Sequence, residues 1–280
     1  MTIQMWGIIL IDVATFIFAV FTLLLVRIPL PKTVLLEQKE KHSLLHEAAY
    51  GWKYITTRSG LLGLLLFFAI VNFLWGTVGA LIVPMILNFT TADVLGIIIS
   101  IAGTGLLTGS VVMSLWGGPK RRIHGVLNFE LFSGFCFLLI GFRPWAPLVA
   151  LGAFGAHFTI AIINGSNQAI WQSKVAPEVQ GRVFAMQQMI SNSLKPLAFL
   201  LAGVLADKVF EPLLAADGVL ASDVGQIIGV GPGRGIALIF IIMGMIKVII
   251  SLGAYLYPRI RLIEDDLPDA IPEEPVSATI

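Results

Sequence analysis

The chain has 280 residues, of which 57% are hydrophobic and 12% charged, with a formal net charge of +1 and a mean hydropathy of +0.90. A soluble domain carries about 25% charged residues, so a water-soluble globule of this composition is excluded and the medium that suits its apolar surface is lipid. The near-neutral balance, with no Lys/Arg run interleaved with aromatics, excludes a nucleic-acid surface. The single cysteine, Cys136, excludes a disulfide framework and a clustered thiolate metal site.

Seven apolar runs approach bilayer length, at residues 6–28, 61–87, 95–116, 124–142, 147–170, 183–207 and 234–257. They predict an all-α membrane protein of seven transmembrane helices. The first run has no basic leader, exceeds the apolar core of a signal peptide and ends at Arg27 without a small-residue cleavage pattern, so it reads as a span. In the connection that follows, Leu45, Ala48, Ala49, Trp52 and Ile55 recur at helical spacing, which predicts an amphipathic helix on the membrane surface.

In the second span Asn72 and Trp75 precede Gly76 and Gly79, and Pro84 releases the carbonyl of Ala80. That pattern suits a bent helix facing a cavity, and equally a helix packed closely through small residues. Gly105 and Gly109 form a G-x-x-x-G in the third span, which reads as a close helix contact. Gly117, Gly118 and Pro119 then turn the chain, followed by Lys120, Arg121 and Arg122.

An ion at the bilayer centre costs ~3 kcal/mol to insert and needs a cavity or a partner. Asp12, Glu130, His157, Lys195 and Lys247 are such residues. Gln188, Asn192 and Lys195 follow i, i+4, i+7 spacing and form a polar stripe, and Pro196 frees the carbonyl of Asn192 and predicts a kink. On the fifth span His157, Asn164, Gln168 and Trp171 lie nearly on one face; His157, titrating near neutral pH, suits a proton relay or a hydrogen-bonded packing role. Asn72, Trp75, His157, Asn164, Gln168, Gln188, Asn192 and Lys195 are therefore the candidates for a solute or ion cavity. Glu130, near one end of its span, is placed to pair with Arg121 or Arg122, and Lys247, with Gly244 and Ser251 on its face, needs an interior partner or must snorkel; structural roles are expected for these two and Asp12.

The glycine-rich stretch 212–233 contains GVGPGRG, but Arg234 stands where G-x-G-x-x-G needs its last glycine and no strand precedes it, so it reads as a flexible loop. No Walker A pattern occurs, which removes direct ATP hydrolysis. No span supplies a nucleophile and base or a pair of carboxylates at usable spacing, so no enzyme, cofactor or metal is expected. From Pro258 the acidic, proline-broken tail predicts disorder. Lys and Arg gather after the first, third, fifth and seventh spans, which predicts an external N-terminus and a cytoplasmic C-terminus.

Three stretches carry a family resemblance: EAAYGWKYITTRSGLLGLLLFFAIVNFL at 47–74, LWGGPKRRIHG at 115–125, and VAPEVQGRVFAMQQMISNSLKPLAFLLAGVLAD from Val175 to Asp207. They resemble helices six to twelve of the macrolide-efflux-like and siderophore-exporter-like group of the major facilitator superfamily. The resemblance implies that residues 1–28 are a helix of the N-terminal half, 29–60 a cytoplasmic interdomain loop, 61–257 the six-helix C-terminal half and 258–280 a cytoplasmic tail. It implies that the N-terminal half is missing from these residues, and that the complete protein is a plasma-membrane secondary transporter. The expected activity is alternating-access export of a small organic solute, drug-like or siderophore-like, coupled to a proton and in contact with membrane lipid. Lys120, Arg121, Arg122, Arg182 and Pro196 become candidates for conformational gating. The alternative is a transport-inactive half that acts as a membrane interaction or regulatory protein.

Overall fold

The computed structural model describes residues 5–25 and 44–270, which fall into two units. The first unit's helix, α1 (Met5–Leu25), is apolar apart from Asp12, Thr15 and Thr22. Its threonines return their hydroxyl protons to the preceding turn, Thr15 to the Ile11 carbonyl at 3.0 Å and Thr22 to that of Phe18 at 2.8 Å, so they add little polar demand in lipid. Residues 26–43, which include the end of the first expected span and most of the following loop, lie outside the described residues.

The second unit begins with α2 (Leu44–Thr56) and continues through α3 (Ser59–Leu87), α4 (Ala92–Trp116), α5 (Arg122–Phe142) and α6 (Ala146–Lys174). The sixth expected span is broken into α7 (Gln180–Asn192) and α8 (Lys195–Leu205), extended by a π turn at Ala206–Phe210. α9 (Arg234–Leu256) is the last long helix, followed by α10 (Pro258–Arg261) and α11 (Ile263–Asp266). Among the described residues there is no strand, and six helical segments are long and apolar enough to cross a membrane. The chain is an all-α, multi-pass membrane protein.

Small residues set the closest packing. A Cβ at Gly105 would stand 2.4 Å from the Phe154 carbonyl oxygen and one at Gly109 2.2 Å from that of Phe158, so α4 lies backbone to backbone on α6. α5 and α9 cross where Gly134 and Gly244 face each other; a Cβ at Gly244 would meet the Gly134 carbonyl oxygen at 2.9 Å. Around these contacts the apolar side chains gather in two clusters, one with Met85, Phe137 and Phe240 and one with Ile55, Leu61, Trp171 and Ile263.

α2 departs from the surface-helix expectation. Gly51 and Ile55 are buried while Ala49 and Trp52 are exposed. Glu47 pairs with Arg182 at 3.8 Å, and Gly51 lets the helix approach the Arg182 carbonyl, so this face packs on protein at the start of α7.

The tail also differs from expectation. Residues 258–270 are folded: Ile260 and Ile263 are buried in the second cluster, and the Glu264 carboxylate accepts the Ile123 backbone N–H at 2.8 Å, capping α5. Lys174, at the end of α6, donates to the backbone carbonyls of Glu264, at 2.8 Å, and Leu267, and pairs with Asp269 at 3.0 Å. The acidic composition that suggested disorder supplies the counter-charges for this buried lysine and for Arg121, which meets Asp265 at 3.1 Å. Residues 271–280 lie outside the described residues.

At the opposite end, 212–233 is an ordered knot rather than a loose loop. Gly231 donates its N–H to Leu214 at 2.9 Å, and Arg234 donates to the Ile228 carbonyl at 3.2 Å. Gly229, Gly231 and Gly233 hold the positive φ angles that the path requires. The Glu211 carboxylate accepts the N–H groups of Gly233 and Ile236 at 3.1 and 3.0 Å, capping α9 from another segment.

Candidate functional site

The break between α7 and α8 organises the site. Pro196 stands at the start of α8 and offers no N–H, so the helix that reaches Asn192 restarts only at Lys195. The interruption turns Lys195 into the first residue of a helix and leaves the stripe Gln188, Asn192, Lys195 along the wall of a cavity of about 710 Å³. That is the size of a site for a drug-sized organic molecule.

α3 contributes Asn72 and Trp75, α6 contributes Asn164, Asn167 and Gln168, and α7 contributes Gln187, Gln188, Ser191 and Asn192. Seven carboxamides thus converge on one space, with Phe68, Trp75 and Phe199 as its aromatic surfaces. Asn192 donates its side-chain N–H groups to the Gln188 carbonyl at 2.8 Å and to the Gln188 side-chain oxygen at 3.0 Å, tying two amides together. The buried Asn167 Oδ1 and Ser191 Oγ have no hydrogen-bond partner among the described residues, so both remain available to the cavity. The arrangement can grip a molecule by many neutral hydrogen bonds and by stacking, with Lys195 adding a cation at one side.

Of the eight cavity candidates, seven line this space and His157 does not. Its ring meets Trp75 edge to face, with centroids 5.7 Å apart, and its Nδ1 lies 2.9 Å from the Ala153 carbonyl oxygen, so it supports the Trp75 wall. Trp171, on the same helix, is buried in the apolar cluster shared with Ile55 and Ile263. Among the gating candidates, Arg121 is held by Asp265, Arg182 by Glu47 with Tyr50 beneath its guanidinium, and Pro196 marks the helix break. Lys120 and Arg122 are exposed.

Glu130 corrects the sequence expectation. It pairs not with Arg121 or Arg122 but with Lys247, whose Nζ lies 2.8 Å from Oε2, and it reaches the edge of the cavity. Lys247 is wholly buried, donates to Ser133 at 2.9 Å and faces the rings of Phe137 and Trp75 at 4.8 and 5.0 Å. Depth allows the pair without singling it out. Glu130 is about 12 Å from the start of α5 and Lys247 about 14 Å from the end of α9, counted at 1.5 Å per residue. The two helices run in opposite directions between the same ends. Asn167, Gln187, Ser191 and Glu130 are cavity residues that the sequence reading missed. Gln187 and Ser191 sit beside Gln188 and Asn192, so a polar strip two residues wide was the available signal.

The sequence is similar to the macrolide efflux protein A of Streptococcus pyogenes, at 27% identity over 211 residues, 72% of this chain and 51% of the relative. The macrolide efflux protein A of Enterococcus faecalis is 28% identical over 197 residues, 68% of this chain and 60% of the relative. An uncharacterised MFS-type transporter of Bacillus subtilis is 25% identical over 147 residues, 52% of this chain and 29% of the relative. The chain spans about half the length of the curated relatives it matches. No family model and no solved structure matches it.

Proposed function

We propose, from the premise that this chain belongs with the major facilitator transporters, that it supplies one wall of the solute pathway of a drug-type exporter in the plasma membrane. The observation that carries this reading is the convergence of seven amides and Lys195 on one cavity within a bundle of bilayer-length helices. Relatives longer than this chain, matched over 51% and 60% of their own length and named for macrolide efflux, support a second set of helices outside these residues that closes the opposite side. The two sets would rock about the cavity, which opens to one side of the membrane at a time. With no nucleotide motif in the sequence, the work is drawn from an ion gradient, with the proton as the coupling ion. The N-terminus lies outside and the basic turn at Lys120, Arg121 and Arg122 faces the cytoplasm.

The test is energised efflux of a macrolide from cells that carry the protein with its full set of helices. Efflux collapses when the proton gradient is dissipated, and Lys195→Ala lowers the rate at least ten-fold while the protein stays in the membrane. Efflux unchanged by Lys195→Ala removes that residue from the mechanism. Absence of any gradient-driven flux rejects transport and favours a membrane interaction role.

A further inference from the structure

We propose that Glu130 is a proton-binding residue of this cavity, and that Lys247 and Trp75 transmit its charge state to the cavity wall. The proposal rests on the transport reading and adds a site to it.

The starting point is a pair of full charges where apolar side chains would do. Each ion costs ~3 kcal/mol to bring to the bilayer centre, and replacing a buried ion pair by well-packed apolar residues is often neutral or stabilising. α5 and α9 do not need the pair as glue, because Gly134 and Gly244 already bring their backbones together one turn away. A charge kept at such cost in a contact already secured by packing points to a use for the charge. Glu130 is the member of the pair that reaches the cavity; Lys247 does not line it.

The environment then determines what a proton would do. Lys247 has four partners: the Glu130 carboxylate at 2.8 Å, the Ser133 hydroxyl at 2.9 Å, and the rings of Phe137 and Trp75 at 4.8 and 5.0 Å. When Glu130 takes up a proton from the cavity, its charge vanishes and the ammonium is left with the hydroxyl and the two rings. Ring faces attract a desolvated cation strongly, so the ammonium leans on them. One of these rings is Trp75, which also forms the cavity wall and is braced by Phe137, at 5.0 Å, and by His157. Proton arrival therefore alters the load on a surface that a bound solute would touch.

Few other charges compete. α3 carries no ionisable residue, and α9 offers Lys247 alone at this depth. α6 offers His157, engaged at Trp75 and Ala153, and Lys174 at its far end, engaged by the tail. On α5 itself Cys136 and His124 each lie six residues from Glu130, His124 toward the helix start against the Tyr255 ring of α9, and Lys195 stands elsewhere on the cavity lining from α8. Glu264 and Asp265 meet α5 only at its start, near Ile123 and Arg121.

The experiment is infrared difference spectroscopy of the protein in lipid bilayers as the pH is lowered, read alongside tryptophan fluorescence. The wild type should gain the C=O stretch of a buried carboxylic acid, and Glu130→Gln should lose it. Because Glu130→Gln strands a buried cation and could misfold, the neutral double variant Glu130→Gln with Lys247→Met is run in parallel and must lose the band as well. Tryptophan emission should shift over the same pH range and stop doing so in Trp75→Phe and in the double variant. No titrating band in the wild type, or a band that survives in the folded double variant, overturns Glu130 as the proton site. A band without the Trp75 response overturns the coupling to the wall. Neither readout needs a solute or a gradient, so their failure is separate from a failure of efflux, which would sink the transport reading alone.

Discussion

Replacing Gly109 by alanine tests the tightest approach at any glycine among the described residues. The new methyl group would lie 2.2 Å from the Phe158 carbonyl oxygen and 3.0 Å from its carbon, where ordinary contact begins at 3.4 Å. The obstacle is backbone, which cannot rotate away, so α4 and α6 must separate by roughly 1.2 Å along this line, the shortfall from ordinary contact. Overpacking of this kind costs typically 1–3 kcal/mol, and a rigid obstacle on a helix-long contact puts Gly109→Ala near the upper end, about 3 kcal/mol. Alanine also favours the helix by about 1 kcal/mol over glycine. Gly103→Ala on the same helix removes that ambiguity, because nothing lies within 4 Å of its Cβ position and it carries the propensity gain alone. The difference between the two variants therefore isolates the clash. Reversible unfolding in mixed micelles should place Gly109→Ala about 3 kcal/mol below Gly103→Ala. Equal stabilities would show that α4 and α6 do not approach backbone to backbone, and the packing account would fail.

Lys174→Met should loosen the C-terminal segment without unfolding the bundle. It removes two charge-assisted bonds to carbonyls and the pair with half-exposed Asp269, together about 2 kcal/mol of docking after discounting for that exposure. Hydrogen exchange at the Ala270 amide, bonded to Ser173 at 2.8 Å, should then accelerate about 30-fold, and an unchanged rate would refute the latch. Glu211→Ala strands the Gly233 and Ile236 N–H groups at the start of α9 and should cost about 1–2 kcal/mol. Glu211→Gln, which keeps one acceptor, should lose less; equal loss in both would show that the carboxylate does not act as a cap.

Helix positions were legible because uninterrupted apolar runs of about 20 residues fit hydrocarbon as helices rather than as the short alternating strands of a barrel. Every peptide group must be satisfied within its own segment, so apolar length alone located the spans to within a few residues. The cavity was legible for the same reason: Asn72, Asn164, Gln188, Asn192 and Lys195 are expensive in lipid and had to face one another or water. What could not be read was any feature that depends on which helices touch. The Glu130–Lys247 pair joins residues far apart in sequence, and from the sequence Arg121 and Arg122 were the nearer cations. The packing of 258–270 was hidden for a related reason, since its acidic residues look solvated until the buried Lys174 and the bare start of α5 are seen to need them. Gly51, which is not among the apolar residues of the α2 stripe, is likewise where the helix comes close to the Arg182 carbonyl.

The same physics separates a stiff part of the cavity from a compliant one. α4 meets α6 at Gly105 and Gly109, α5 meets α9 at Gly134 and Gly244, and α6 meets α5 at Gly152, whose Cβ would stand 3.0 Å from the Cys136 carbonyl oxygen, contacts in which a helix lies close on main chain and small shifts are resisted at once. The wall formed by α7 and α8 is different. It is interrupted between Asn192 and Lys195, it relaxes into a π turn at Ala206–Phe210, and it touches α3 through the small pair Gly76 and Ala198. Breaks in the i to i−4 ladder are where helices bend. They lie just before Lys195 and at the end of the same span, so bending at the first would shift Gln188 and Asn192 on α7 relative to Lys195 on α8 and to Asn164 on α6. Under the transport reading the cavity therefore changes shape by flexing this one segment against a rigid frame, and the polar stripe that binds the solute spans the point where it bends.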